Sequence, residues 1–297
     1  MSFKPEIIVI VGPTASGKSD LGVEIALANN GEIISADSRQ VYAGLDIGSG
    51  KITEEEMKGV PHHMLDMSDP MDKYSVSDFK FEAGLALADI IKKEKLPIIV
   101  GGTFYYIDAL VYDIDFPEVP PNEPLRKELE EKSLEDLLTI LDEKDPERGK
   151  TVDRDNKRRV IRALEIIDAL VVVPPNTKES PYDVLWIGID TDDKLRERIE
   201  KRLHTRMSGG MVEEVKGLLL SGVTDKRLEE LGLEYRYIAR FLRGDITKEE
   251  MEKEIINKSW QYSRRQLTWL RGNKNINWFK LEDKDKIFEL VGQFLKS

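Results

Sequence analysis

The stretch EIIVIVGPTASGKSDLGVEIALA, residues 6–28, decides the fold. Glu6–Val11 is a short apolar run closed by Gly12-Pro13, the pattern of a buried strand. Lys18 to Ala28 places Leu21, Ile25 and Ala28 at helical spacing. Between them, Gly12-Pro13-Thr14-Ala15-Ser16-Gly17-Lys18-Ser19 fits GxxxxGK[ST], and it follows a strand and opens a helix, the context that gives the match meaning. The glycines permit tight turns that let successive N–H groups face an oxyanion. The helix N-terminus adds partial positive charge. Lys18 supplies a full charge, and the Ser19 hydroxyl is a ligand for Mg²⁺. The pattern implies binding of a di- or triphosphate, and by itself says nothing of hydrolysis.

Working outward, Glu32–Ala36 reads as a second strand. Ser75 or Ser77 can cap a helix with Phe79, Ala83, Ala86 and Ile90 on one face. Pro97–Val100 reads as a third strand, closed by Gly101-Gly102. Strands alternating with helices imply a parallel, helix-covered sheet. Pro117, Pro120, Pro121 and Pro124 mark a boundary, after which the chain is charged and helical to about Val173. Pro174-Pro175 and Pro181 mark a second boundary, and DVLWIGI (183–189) is again strand-like. Helical segments are expected at about 193–206, 211–221, 226–243 and 248–270. The expected fold is α/β, a P-loop NTPase-like parallel sheet core flanked by helices (1–116 and 183–297), with a helical insertion domain (117–182).

The 297 residues carry 45 Lys+Arg and 56 Asp+Glu, a net charge of −11. That total argues against a nucleic-acid partner, but its distribution does not. Residues 113–147 carry 4 basic and 13 acidic residues, residues 148–165 carry 7 and 3, and residues 226–272 carry 11 and 8. Arg148, Lys150, Arg154, Lys157, Arg158, Arg159 and Arg162 form either a solvated face paired with the acidic stretch before them or a phosphate-contacting patch. The absence of cysteine excludes disulfides, thiol nucleophiles and Cys-based zinc sites. No apolar run approaches the ~20 residues of a membrane span, and no signal peptide is readable, so a cytoplasmic protein with no membrane partner is expected.

In open α/β sheets ligands sit outside the carboxyl ends of strands. Lys18, Asp37 and Thr103 are therefore expected to converge on one crevice. An ordinary ATPase ends a neighbouring strand with an Asp for Mg²⁺, whereas here Gly101-Gly102-Thr103 follows the third strand. Asp37 serves as a base or metal-holding carboxylate, or as a simple helix cap; Thr103 is a ligand or a turn hydroxyl. Arg202, in an Arg198-x-x-x-Arg202 pair, either grips a diphosphate or lies on a solvated face, the latter being expected. Arg264 and Arg265 reach RNA or pair with nearby acids. His62 and His63 read as structural, and Trp260 and Trp269 as core.

GPTASGKS, DSRQVYAGLDIGSGK (37–51), VPHHMLD (60–66), GGTFYY (101–106), RALE (162–165), GLEYR (232–236) and RRQLTWLRG (264–272) together resemble the tRNA dimethylallyltransferase (tRNA isopentenyltransferase) family, bacterial type, from about Ile7 to Gly272. The resemblance implies transfer of a dimethylallyl group from dimethylallyl diphosphate to N6 of the adenosine 3′ of the anticodon (position 37) in tRNA. The phosphate loop would hold the donor's diphosphate with Mg²⁺, and the target base would be flipped out of the anticodon loop. Positions matching tRNA-contacting family residues are Asp37, Ser38, Arg39, Gln40, Thr103, Arg126, Arg158, Arg159, Val160, Ile161, Arg162, Gly232, Leu233, Glu234, Tyr235 and Arg236. Adenine N6 is a poor nucleophile, so a carboxylate that accepts its proton is needed; Asp37 is the candidate, with Thr103 holding the base or Asp37. A monomer is expected. Two departures stand out: 171–182 lacks the Gly-Lys-Pro turn expected after RALE, and GLEYR differs from the commoner Gly-Tyr pairing. The alternatives are a P-loop small-molecule or nucleotide kinase, which leaves Gly101-Gly102 and the arginines at 148–162 unexplained, and a nucleotide-dependent switch or RNA-binding module, for which no nucleotide-sensing segment is evident.

Overall fold

A computed structural model describes residues 4–117, 119–170, 179–191 and 194–296. One sheet holds β1 (Glu6–Val11), β2 (Gly31–Ala36), β3 (His62–His63), β4 (Leu96–Gly101), β5 (Asp183–Ile189) and β6 (Asn277–Phe279). All pairings are parallel, in the order β3-β2-β4-β1-β5-β6. The fold is thus α/β, as the phosphate loop and its flanking runs imply. The helices are α1 (Lys18–Ala28), α2 (Glu54–Met57), α3 (Val76–Lys92), α4 (Phe104–Val111), α5 (Glu123–Glu130), α6 (Leu134–Lys144), α7 (Pro146–Thr151), α8 (Lys157–Ala169), α9 (Leu195–Ser208), α10 (Met211–Leu220), α11 (Asp225–Leu231), α12 (Leu233–Arg243), α13 (Lys248–Leu270) and α14 (Lys284–Phe294).

The chain divides into two compact units, Met1–Asp113 with Glu179–Ser297, and Ile114–Lys178. In the larger unit β1, β2, β4 and most of β5 are buried on both faces, which is why they read as continuous apolar runs. Ile7, Val9, Val11, Ile34, Ala36 and Ile99 face one core, which α3, α4 and the helices from α9 to α13 complete. Ile8, Ile10, Ile33, Ile98 and Val100 face the other, closed by Leu21 and Ile25 of α1 and Ile287 and Val291 of α14. The strand register places the site. Val11 and Ala36 both stand opposite Gly101, so β1, β4 and β2 end level and their loops leave from one edge.

The smaller unit packs Leu129, Leu137, Leu141, Val160, Ile161 and Leu164 together. Its helices are short because each starts afresh on its own cap: Asn122, Ser133, Asp145 and Asn156 accept backbone N–H groups at the four N-termini.

The single helix expected at 226–243 is two, α11 and α12. Gly232 between them holds φ 78 and ψ −175, a conformation essentially confined to glycine. β3 and β6, with only two and three residues, carry no legible sequence signal; α14 lies beyond the expected helices, although Ile287, Leu290, Val291 and Phe294 stand at helical spacing. The boundary residues Pro174-Pro175, and the missing turn after RALE, lie outside the described residues.

Candidate active site

The phosphate loop leaves β1 at Gly12 and enters α1 through Gly17. Ala15 (φ 64) and Gly17 (φ 83) both hold positive φ, which bends the loop around a hollow. Ser16 Oγ is buried without a hydrogen-bond partner among the described residues, an orphan that an incoming oxyanion would satisfy. Lys18, Ser19, Ser35, Asp37, Gln40 and His62 line one cavity. Burial lowers the Lys18 pKa to about 8; Asp37 opposes the shift and the neighbouring Arg202 and Arg206 add to it.

Arg202 corrects the expectation of a solvated face. Burial pulls its pKa down to about 10, with Arg206 adding to the shift and Glu234 and Asp37 opposing it. Arg202 and Arg206 thus add positive charge beside Lys18, an arrangement suited to a polyanion. Arg206 donates to the Gly48 carbonyl (3.2 Å) and pairs with Glu234 (3.6 Å). The 46–48 backbone is held in turn by Glu214 of α10, which accepts the N–H groups of Asp46, Ile47 and Gly48 and the Tyr235 hydroxyl.

Asp37 opens the loop after β2. Its Oδ1 accepts the Arg39 N–H at 2.8 Å, an Asx turn, so one oxygen caps a turn while the other has no hydrogen-bond partner among the described residues. Thr103, which follows β4, accepts the Ser38 N–H at 3.0 Å. Lys18, Asp37 and Thr103 thus belong to three loops at one sheet edge. The Arg39 guanidinium lies 3.7 Å from where a Gly232 Cβ would stand, which brings the 37–40 and 232–236 segments together. Tyr235, however, is buried, and Arg236, with Arg240, is engaged by Glu229.

Magnesium takes hard oxygen donors, commonly one or two carboxylates plus substrate phosphates and water. The Ser19 hydroxyl in the first turn of α1 and the Asp37 carboxylate are donors of that type. Among the described residues no group of three or more His, Cys, Asp or Glu gathers as a cation cage. His62 and His63 are tied to local structure: His62 Nδ1 lies 2.8 Å from the Val60 carbonyl, and His63 Nε2 2.7 Å from Glu32.

In the smaller unit most of the basic stretch is internally paired. Arg126 binds Glu165 through two bonds (2.8 and 2.9 Å), and Arg162 reaches Glu165 and the Val119 carbonyl. Arg154 pairs with Asp142, Arg159 with Asp153, and Lys157 caps the Glu130 and Lys132 carbonyls. The Val160 and Ile161 side chains lie in the core, so neither presents a side chain to RNA. Arg158 is exposed and has no carboxylate partner among the described residues.

The aromatic residues of α13 correct a second expectation. Trp260 is not core: it is half-buried under the guanidinium groups of Arg196 (5.7 Å) and Arg264 (5.4 Å). Trp269 is 43 % exposed and stacks on Phe104. Arg265 lies over Tyr262, and neither Arg264 nor Arg265 has a carboxylate partner among the described residues.

The family model described as IPP transferase matches residues 40–273. That match begins after the phosphate loop and so is independent of it. The chain belongs to the IPP transferase family. It is a transferase on the same ground. It is 38 % identical over 299 residues to a tRNA dimethylallyltransferase of Bacillus cytotoxicus, covering 97 % of this chain and 94 % of that protein. A second such protein, from Oceanobacillus iheyensis, is 40 % identical over 291 residues, 94 % of this chain and 92 % of that one. The solved tRNA isopentenylpyrophosphate transferase of Bacillus halodurans superposes with a TM-score of 0.75 at 35 % identity, covering 99 % and 97 % of the two chains. A eukaryotic dimethylallyltransferase solved acting on tRNA superposes at 0.74 and 26 % identity, with 93 % and 74 % covered.

Within this transferase, Arg206, Tyr262 and Gln266, near the phosphate loop or Asp37, and Glu214, under the 46–48 backbone, escaped sequence reasoning. Gln266 lies inside the RRQLTWLRG motif, yet nothing in that motif says which side chain turns inward. Its 5 % exposure and two long-range hydrogen bonds are visible only in three dimensions.

Proposed function

We propose that this chain transfers a dimethylallyl group from dimethylallyl diphosphate to N6 of adenosine 37, 3′ of the anticodon in tRNA, and releases diphosphate. The observation that carries the reading is a cationic phosphate loop and a carboxylate with one uncommitted oxygen at the same sheet edge. Lys18, Arg202 and the loop N–H groups bind the donor's diphosphate and stabilise the charge that grows on it as the C1–O bond breaks. The Ser19 hydroxyl is the loop's ligand for Mg²⁺, which when bound neutralises part of the diphosphate charge. The N6–C1 bond forms as Asp37 takes the proton from N6. Thr103 fixes the loop that presents Asp37. The diphosphate leaves with the electron pair of the broken bond.

The tRNA contacts follow from charge that is not already spent within the protein. Arg39 beside Gly232 and Arg158 on the smaller unit are the cations offered to the anticodon stem-loop, and the acid-free turn after β4 favours this reading over a kinase. The deciding experiment incubates the protein with Mg²⁺, dimethylallyl diphosphate and unmodified tRNA. N6-prenyladenosine is the expected product, and ATP turnover without prenyl transfer would overturn the reading in favour of a kinase.

A further inference from the structure

We propose that Gln266 is a positioning residue for the transfer reaction, holding the donor's phosphate loop and the acceptor-side loops in register. The proposal rests on the function proposed above and deepens it. Gln266 projects from α13 with 5 % exposure. Its Oε1 accepts the Thr14 N–H (3.2 Å), in the phosphate loop. Its Nε2 donates to the Gly102 carbonyl (2.9 Å), at the end of β4. Thr103 follows directly and accepts the Ser38 N–H, next to Asp37. One amide therefore bridges the loop that holds the diphosphate and the loops that carry Thr103 and Asp37.

Three features separate this from an ordinary buried amide. Both ends of the side chain bond loop backbone rather than core, although an apolar residue would fill the space without the desolvation cost of an amide. Thr14 is an early residue of the loop, so its engagement leaves the N–H groups from Ala15 to Ser19 for phosphate. The approach at Gly102 is also close: a Cβ there would stand 2.6 Å from Nε2. In a two-substrate transfer the reacting carbon and nitrogen must meet in line, and a displacement of 1 Å can cost about 100-fold in rate. A bridge between the two loops acts on that distance and not on the affinity of either substrate.

The test uses the full chain, with the rate measured per folded molecule. Gln266→Met keeps length and loses both hydrogen bonds. It is expected to lower kcat about 100-fold while inorganic diphosphate with Mg²⁺ still binds close to the wild-type affinity by calorimetry. Leu267→Ala, in the adjacent core position, is expected to lower the Tm and leave kcat unchanged. Gln266→Glu supplies a second readout. Its ionised carboxylate sets oxygen against the Gly102 carbonyl, whereas the protonated acid restores both bonds. Its rate relative to wild type should therefore climb as the pH falls, a profile that a purely structural role does not produce. A wild-type kcat in Gln266→Met, or a pH-independent ratio in Gln266→Glu, overturns the proposal. If the wild-type protein forms no N6-prenyladenosine, the proposed function fails instead, so the two failures are distinguishable.

Discussion

Lys18 ties donor binding to pH. Burial brings its pKa to about 8, and a bound diphosphate supplies the counter-charge that raises it again. Binding then takes up a proton wherever the free lysine has lost one. Donor affinity should be flat below about pH 8 and fall about tenfold per pH unit above it. Calorimetry of inorganic diphosphate binding from about pH 6.5 to about pH 9.5, set against Lys18→Met to remove the ligand's own ionisation, checks this, and parallel profiles for the two proteins remove Lys18 from the phosphate site. For Asp37, the Asn variant keeps the turn-capping oxygen but cannot take a proton. Asp37→Asn should lose about 10²–10⁴-fold in kcat with tRNA affinity retained, and near-normal single-turnover rates would sink its role as base. Arg158 and Arg162 are neighbours in one basic run with opposite fates. Arg158→Ala should lower the salt slope of tRNA binding by about one, because its charge is unspent, whereas Arg162 is held by Glu165 and Val119.

At the scale of elements, Glu165 is the joint of α5 and α8. It is 1 % exposed and binds Arg126, Arg162 and the Asn122 N–H. Burial alone would raise its pKa, but these bonds outweigh burial and hold it below the usual carboxyl range. Its contribution to stability is therefore present above the unfolded carboxyl pKa of about 4.3 and is lost as the pH falls through the lower folded value. Arg126→Ala, which strands this carboxylate, should cost about 3 kcal/mol, read from urea unfolding at neutral pH; an unchanged midpoint would show that Arg162 alone suffices. The break between α11 and α12 depends on Gly232. Gly232→Ala should destabilise the protein by about 1–3 kcal/mol and loosen the approach of α12 to Arg39, measurable as a lower Tm together with weaker tRNA binding. Periodicity predicted a continuous helix here because the apolar spacing runs on across the glycine, and spacing does not record φ.

For the whole molecule, the net charge of −11 separates from function once pairing is known. The stretches 148–165 and 226–272 are rich in arginine, but Glu229, Glu165, Asp142 and Asp153 absorb much of that charge. The arginines left without carboxylate partners among the described residues include Arg39, Arg158, Arg264 and Arg265. The logarithm of tRNA affinity should then fall with the logarithm of salt at a slope of about −3, near 0.7–0.9 per contact; a slope approaching −10 would mean that the internal ion pairs open on binding. Among the described residues no helix is long and apolar enough to cross a membrane. The parallel α/β sheet and the phosphate loop were legible from sequence, because buried strands must be apolar and a tight oxyanion loop must carry glycines. Parallel strands ending at one edge bring Lys18 and Asp37 to one cavity, whereas Thr103 is outside its lining and reaches the Asp37 loop through the Ser38 N–H. What sequence left open, tertiary structure decided: which arginines are spent, that Arg202 is half-buried beside Lys18 while Trp269 is exposed, and that Gln266 bridges loops 164 and 252 residues away. Local pattern records the period and polarity of neighbours along the chain, whereas burial and pairing depend on residues that only folding brings together.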